Sequence, residues 1–181
     1  MNATDTRAQP DYLLTESDTL LLNDAGRAVV QAYAEAERAL VDLRQCWAGA
    51  YLAGLFRRNA WLQSARLTLT ASAGYNDEGG SYRRVGGSVT QVLPVPGMAL
   101  PPSLLREGAF NDVGAIALVE DDLGDSDDDL YTAFNGELDC GELVLDVNRE
   151  ALAHLLEGDQ VSGAAAYLAL FAPVRPHAVA T

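Results

Sequence analysis

The chain has 181 residues, 49% of them hydrophobic, and carries 26 acidic against 12 basic side chains for a formal charge of −14. That length is enough for a domain with its own core, and that apolar content excludes disorder as the default. So negative a charge repels phosphate backbones and anionic membranes, which argues against direct nucleic-acid or membrane binding and leaves basic protein surfaces, or plain solubility, as its meaning.

In chain order, residues 1–14 are polar and read as a flexible N-terminal segment. They lack the basic start and unbroken apolar stretch of a signal peptide, so the expected location is cytoplasmic. Thr15-Glu-Ser-Asp18 has the spacing of a capping box, with Asp in place of the usual Glu or Gln. From Leu22 the pattern is helical: Leu22, Val29, Ala36, Leu43 and Ala50 recur every seven residues, with Tyr33, Leu40 and Trp47 between them. This predicts a long amphipathic helix ending near Arg57, Arg58 and Asn59, or a helix pair if Gly26, Gly49 or Gly54 breaks it. The stripe is expected to pack on the domain's own sheet, with pairing to a second copy as the alternative.

Arg66–Ala73 alternates apolar and polar residues and predicts a strand. The turn Gly74-Tyr-Asn-Asp-Glu-Gly-Gly80 leads into a returning strand over Tyr82–Val95, where Gly86 and Gly87 mark a bulge or an unprotected edge. Pro94, Pro96, Pro101 and Pro102 predict an irregular connector. Residues 103–120 read as helical. The run from Glu120 to Asp129 holds seven acids in ten positions and predicts a solvated loop, followed by a short helix at Leu130–Phe134 that Asn135-Gly136 stops. Glu142–Val147 predicts a strand with Leu143, Leu145 and Val147 on one face, and Asn148 a cap for a helix through Glu157. Gly163–Phe171 is apolar on all sides, and the reading leans to helix.

The fold class is therefore α+β: a long N-terminal helix, or helix pair, and further helices packed on a small, mostly antiparallel sheet, as one domain over 15–174 with a flexible tail at 175–181.

No catalytic centre emerges. His154, His177, Cys46 and Cys140 stand at no metal-ligand spacing, and both cysteines read as buried free thiols. The acidic run meets none of the position requirements of a calcium loop. There is no nucleophile elbow and no phosphate-binding glycine loop. The expectation is no cofactor and no metal. Two acidic elements remain as candidate partner-binding residues: Asp77 and Glu78 at the hairpin tip, with Tyr82 beside them, and Glu120, Asp121, Asp122, Asp125, Asp127, Asp128 and Asp129, with Tyr131 and Phe134 behind. Carboxylates beside aromatic rings suit an Arg-rich protein surface; the same residues also suit turns and core anchors.

The order of a long helix, a strand ending in Gly74-Tyr-Asn-Asp-Glu-Gly-Gly-Ser81, a returning strand and the late Asn135-Gly-Glu-Leu-Asp-Cys-Gly-Glu-Leu-Val-Leu-Asp-Val147 resembles a family of small acidic α+β proteins from bacterial phages and mobile elements. The family's acidic "GDSG" tip is not reproduced at Asp77–Ser81. The resemblance implies a mobile-element context, in which proteins that block host defences are common. The resulting expectation is a non-enzymatic inhibitor of the anti-CRISPR or antirestriction kind, monomer or homodimer, that occupies a basic nucleic-acid-binding surface of a host complex. The alternatives are an enzyme with a dispersed carboxylate site and an assembly subunit that self-associates through its long helix.

Overall fold

A computed structural model of the chain describes residues 9–75, 77, 79–135 and 140–171. The chain divides into two compact units, Met1–Leu43 and Arg44–Thr181, where the sequence suggested one domain from residue 15 onward.

The first unit opens with an antiparallel hairpin of β1 (Tyr12–Leu14) and β2 (Leu20–Leu22). Thr15–Asp18 is the turn of this hairpin and not a capping box. Thr15 N donates to Thr19 O at 2.9 Å, and Thr15 Oγ1 accepts from Thr19 N at 3.2 Å. The Thr hydroxyl that would cap a helix is used up inside the turn, a competition inherent to short polar side chains. The cap of the following helix is Asn23, whose Oδ1 accepts from Gly26 N at 2.7 Å and from Asp11 N at 3.2 Å. Its Nδ2 donates to Gln9 O at 2.8 Å, so residues 9–14, read from sequence as a loose segment, are tied to the helix start. Gly26 makes room for this: a methyl there would stand 2.7 Å from Leu22 Cδ2.

Helix α1 runs unbroken from Asp24 to Arg58, so the helix pair is not formed. Residues 24–43 belong to the first unit and 44–58 to the second. In the second unit, Ala48, Leu52, Leu55 and Phe56 are buried. Gly49 is there for close packing: a methyl on it would lie 2.1 Å from Gly163 O, at the start of α5 (Gly163–Phe171), the apolar segment now resolved as helix.

The sheet has three antiparallel strands in the order β4-β3-β7, with β3 at Leu62–Tyr75, β4 at Ser81–Pro94 and β7 at Gly141–Asn148. Ala65, Leu67, Leu69 and Ala71 of β3, with Val89, Leu145 and Val147 beside them, form the buried face. The opposite face is polar. There Arg66 and Asp146, directly opposed, form a two-pronged pair with Nε–Oδ1 at 2.7 Å and Nη2–Oδ2 at 3.0 Å. The register shifts fall at Leu62/Ser64 and Arg66/Leu67; Gly86 and Gly87 pair regularly with Thr70 and Leu69, so they mark no bulge.

The predicted helix over 103–120 is corrected. Residues Pro102–Leu104 form one 3-10 turn, and β5 (Leu105–Arg106) and β6 (Ala109–Phe110) form a minimal hairpin. Glu107 and Gly108 take positive φ of 55° and 81°, the twist a two-residue hairpin loop requires. Helix α2 begins only at Asp112, capped by Asn111, and ends at Leu123; α3 spans Asp127–Phe134, and α4 Arg149–Leu156 with Asn148 as cap. Among the described residues no helix is long and apolar enough to cross a membrane.

These elements meet at Asn59, just past the end of α1 and 4% exposed. Its Nδ2 donates to Leu55 O at 3.2 Å and to Asp122 of α2; its Oδ1 accepts from Trp61 Nε1 at 3.1 Å. Arg149, at the start of α4, donates to Asn59 O at 2.8 Å, to Leu62 O at 2.7 Å and to Phe56 O. Burial holds the Arg149 guanidinium below its ordinary pKa.

Asn59→Leu should therefore lower unfolding stability by about 2–4 kcal/mol, since Trp61 and Asp122 each lose a buried partner; urea unfolding at unchanged m-value measures it. The Asp146 carboxyl, held below its usual range by the hydrogen bond from Arg66, gains stability for the fold above the unfolded-state carboxylate pKa. That gain is lost as pH falls through the depressed folded value. A carboxyl NMR titration should place the Asp146 midpoint below 3.8 and return it there in Arg66→Gln.

Candidate interaction surfaces

The acidic run is not a loop. Glu120, Asp121 and Asp122 occupy the last turn of α2, and Asp127, Asp128 and Asp129 the first turn of α3. The second group complements the positive end of its helix; the first group sits at a negative end and needs other compensation. It finds that compensation in the sheet and the Asn59 node. Glu120 Oε1 accepts from Val89 N at 3.0 Å, and Asp122 accepts from Asn59 Nδ2 with Arg58 Nε 3.8 Å away.

Asp127 Oδ2 accepts from Gly87 N at 2.8 Å. Gly87 and Val89 are two apart on β4, an edge strand, so two successive outward N–H groups of that edge are closed by carboxylates. Such closure blocks strand addition. The edge expected to be unprotected is thus capped, and Gly87 is what lets the cap approach: a methyl there would be 2.3 Å from Asp127 Oδ1. On the same strand Arg83, with a side chain only 14% exposed, pairs with Asp128, donates to Thr132 Oγ1 at 2.6 Å and lies 5.5 Å above the Tyr131 ring.

Four of the seven acids in the run therefore serve the fold, while Asp121, Asp125 and Asp129 are exposed. The aromatics behind the run do not join its surface. Tyr131 is buried, and Phe134 packs edge-on to Phe171, with ring centroids 4.8 Å apart, and against Tyr167. At the hairpin tip Asp77 is exposed and Glu78 lies outside the described residues. Tyr82 is exposed but leans on Gly74, its cross-strand partner.

A cleft of about 630 Å³ is lined by Arg44, Trp47, Arg83, Asp128, Asp129 and Thr132. Its two neighbouring carboxylates are not a free acid/base couple, because Asp128 is fixed on Arg83. Among the described residues no group of three His, Cys, Asp or Glu side chains is placed to hold a metal. Both thiols are free and neither is buried as expected: Cys46 is half-buried, and Cys140 is exposed because it precedes β7 instead of lying within it.

The largest departure concerns the stripe of α1. Val29 is 54% exposed, Tyr33 65%, Leu40 46% and Leu43 65%, where burial against the domain's own sheet was expected. The buried face of the later turns, Ala48-Leu52-Leu55, is offset by one to two residues from the 47-50-54 continuation of the stripe, a rotation of roughly 130° at 100° per residue. Within residues 24–43 the polar side chains Asp24, Arg27, Gln31, Glu35, Arg38 and Asp42 form one narrow line, satisfied along its own length by Asp24–Arg27 and by Gln31 donating to Glu35 at 2.9 Å. Glu37 alone stands off that line, bonded to the Tyr33 hydroxyl, whose pKa it raises.

Gly87→Ala should cost about 1–3 kcal/mol by driving the Asp127 carboxylate off the strand. Asp127→Ala in that background should add little, a coupling that a double-mutant cycle of unfolding free energies reads directly. Comparison with protein-family models, with curated proteins and with solved structures finds no match to this chain.

Proposed function

We propose that this chain is a non-catalytic interaction protein of the cytoplasm whose docking surface is its first unit, the β1–β2 hairpin and residues 24–43 of α1. The observation that carries this reading is the exposure of that unit's apolar side chains. Of the exposed large apolar side chains among the described residues, eleven of twenty-one lie between Tyr12 and Leu43. Helices are held chiefly by burial of an apolar face, and a contiguous exposed patch of this kind marks an interaction surface. Tyr33→Glu with Leu40→Glu should reduce partner capture at least tenfold in a pull-down from host lysate, while the urea unfolding midpoint of the sheet-bearing unit, read by its tryptophan fluorescence, stays within error. Capture that persists undiminished in the double variant removes the first unit from the proposal.

A second reading rests on the acids left exposed. Asp121, Asp125 and Asp129, with Asp77 at the hairpin tip, are exposed and take no part in the β4 edge or the Asn59 junction. They suit a basic, nucleic-acid-binding protein surface, as a phage or mobile-element inhibitor of a CRISPR or restriction complex would require. The resemblance in the strand motifs supports that context. The informative variant is Asp121→Asn, Asp125→Asn and Asp129→Asn together, because Asp127 and Asp128 hold the β4 edge and their loss would confound binding with folding. Elution of the partner at moderate salt, and earlier elution from this triple variant, is the expected outcome of the acidic reading. Retention that resists salt and ignores the triple variant favours the apolar surface.

A further inference from the structure

We infer that the occupant of the first unit's apolar surface is a second copy of the same chain. This rests on the proposal that the first unit is the docking surface, and it names the partner. Three features of the unit favour a copy of itself.

The first is area. Eleven large apolar side chains, each 46–65% exposed, are available to a standard stable interface, to which one partner contributes about 800 Å². The second is charge. Residues 24–43 hold four acids, Asp24, Glu35, Glu37 and Asp42, against Arg27 and Arg38, a net −2 of the chain's −14. Two copies meet here through a stripe from which the helix's own charges are turned away. The polar line of the helix lies on one side, so the stripe Val29-Tyr33-Ala36-Leu40-Leu43 carries no charge and only Glu37 flanks it.

The third is shape. The seven-residue repeat of the stripe is the spacing that keeps a helix seam facing another helix over several turns. Ala25, Ala32 and Ala39 recur beside it at the same interval and allow close approach. The narrow polar line leaves most of the helix circumference apolar, more than one partner helix covers. A second copy supplies a helix and a hairpin together, and a two-fold pairing gives each copy both.

Sedimentation velocity of the full chain over a wide concentration range tests this. The expected result is a dimer whose association resists salt, converted to monomer by Tyr33→Glu with Leu40→Glu. The milder Val29→Ala with Leu43→Ala should weaken self-association at least tenfold. Fluorescence of Trp47 and Trp61 at the same concentrations checks that the sheet-bearing unit stays folded in each variant. A wild-type chain that stays monomeric at every concentration overturns the inference, as does an oligomer that the double Glu variant leaves intact. Lysate capture separates the two levels. A monomeric wild type that still loses its captured partner in the double Glu variant discards the second copy and keeps the docking surface. A monomeric wild type whose capture is unaffected discards both.

Discussion

The sheet-bearing unit depends on one buried polar junction. Asn59 has no water to fall back on, so each of its side-chain groups must find a protein partner. It finds them on three elements, and each bond fixes a direction. The bond to Leu55 O ends α1, the bond from Trp61 Nε1 starts β3, and the bond to Asp122 docks the last turn of α2. Arg149 closes the remaining carbonyls at Phe56, Asn59 and Leu62 and so sets where β7 gives way to α4. A cation there also answers the negative end of α1. Apolar burial drives the collapse but is not directional; these hydrogen bonds select which helix meets which strand.

The same logic changes the meaning of the acidic run. A row of carboxylates in a sequence suggests a charged face, and net charge alone supports that reading. Yet the sheet has an edge strand with outward N–H groups, and the nearest acceptors are Glu120 and Asp127. An ionised acceptor on a backbone N–H is a stronger bond than a neutral one. It also leaves the edge negatively charged, which discourages a further strand. The run therefore closes the sheet, ties α2 to the Asn59 junction through Asp122, and leaves Asp121, Asp125 and Asp129 outside these contacts.

Much of the fold was legible because it rests on short periods. The alternation in Arg66–Ala73 and in Glu142–Val147 could only bury one face of a strand, and Asn148, between that strand and the helical pattern through Glu157, is the cap it was read as. The misreadings share a cause: a local string compatible with two structures. Thr15–Asp18 fits a helix cap or a hairpin turn, and what decides is whether the hydroxyl turns to Thr19 N. Residues 103–120 are apolar enough for a helix, but Glu107-Gly108 bends them into a hairpin first. The role of Gly87 needed the position of Asp127, forty residues away, and no short pattern encodes that distance. Of the candidate site, the acid positions were legible and their division into bonded and exposed was not, because that division depends on which side of α2 and α3 faces the strand.

The stripe of α1 was the most visible pattern in the chain and its destination the least. Seven-residue periodicity says that a helix has a face to cover; it does not say what covers it. Burial in the later turns follows a different line of residues, so the heptad line was never the one the sheet-bearing unit uses. A helix of this length that gains nothing from its apolar face is marginal in water, since nucleation is unfavourable and propagation only slightly favourable. Residues 24–43 keep their helix start through Asn23 and the hairpin, a fixed anchor at one end. The stabilisation still missing along the rest is what an association would supply, and association then couples the helical order of the first unit to protein concentration.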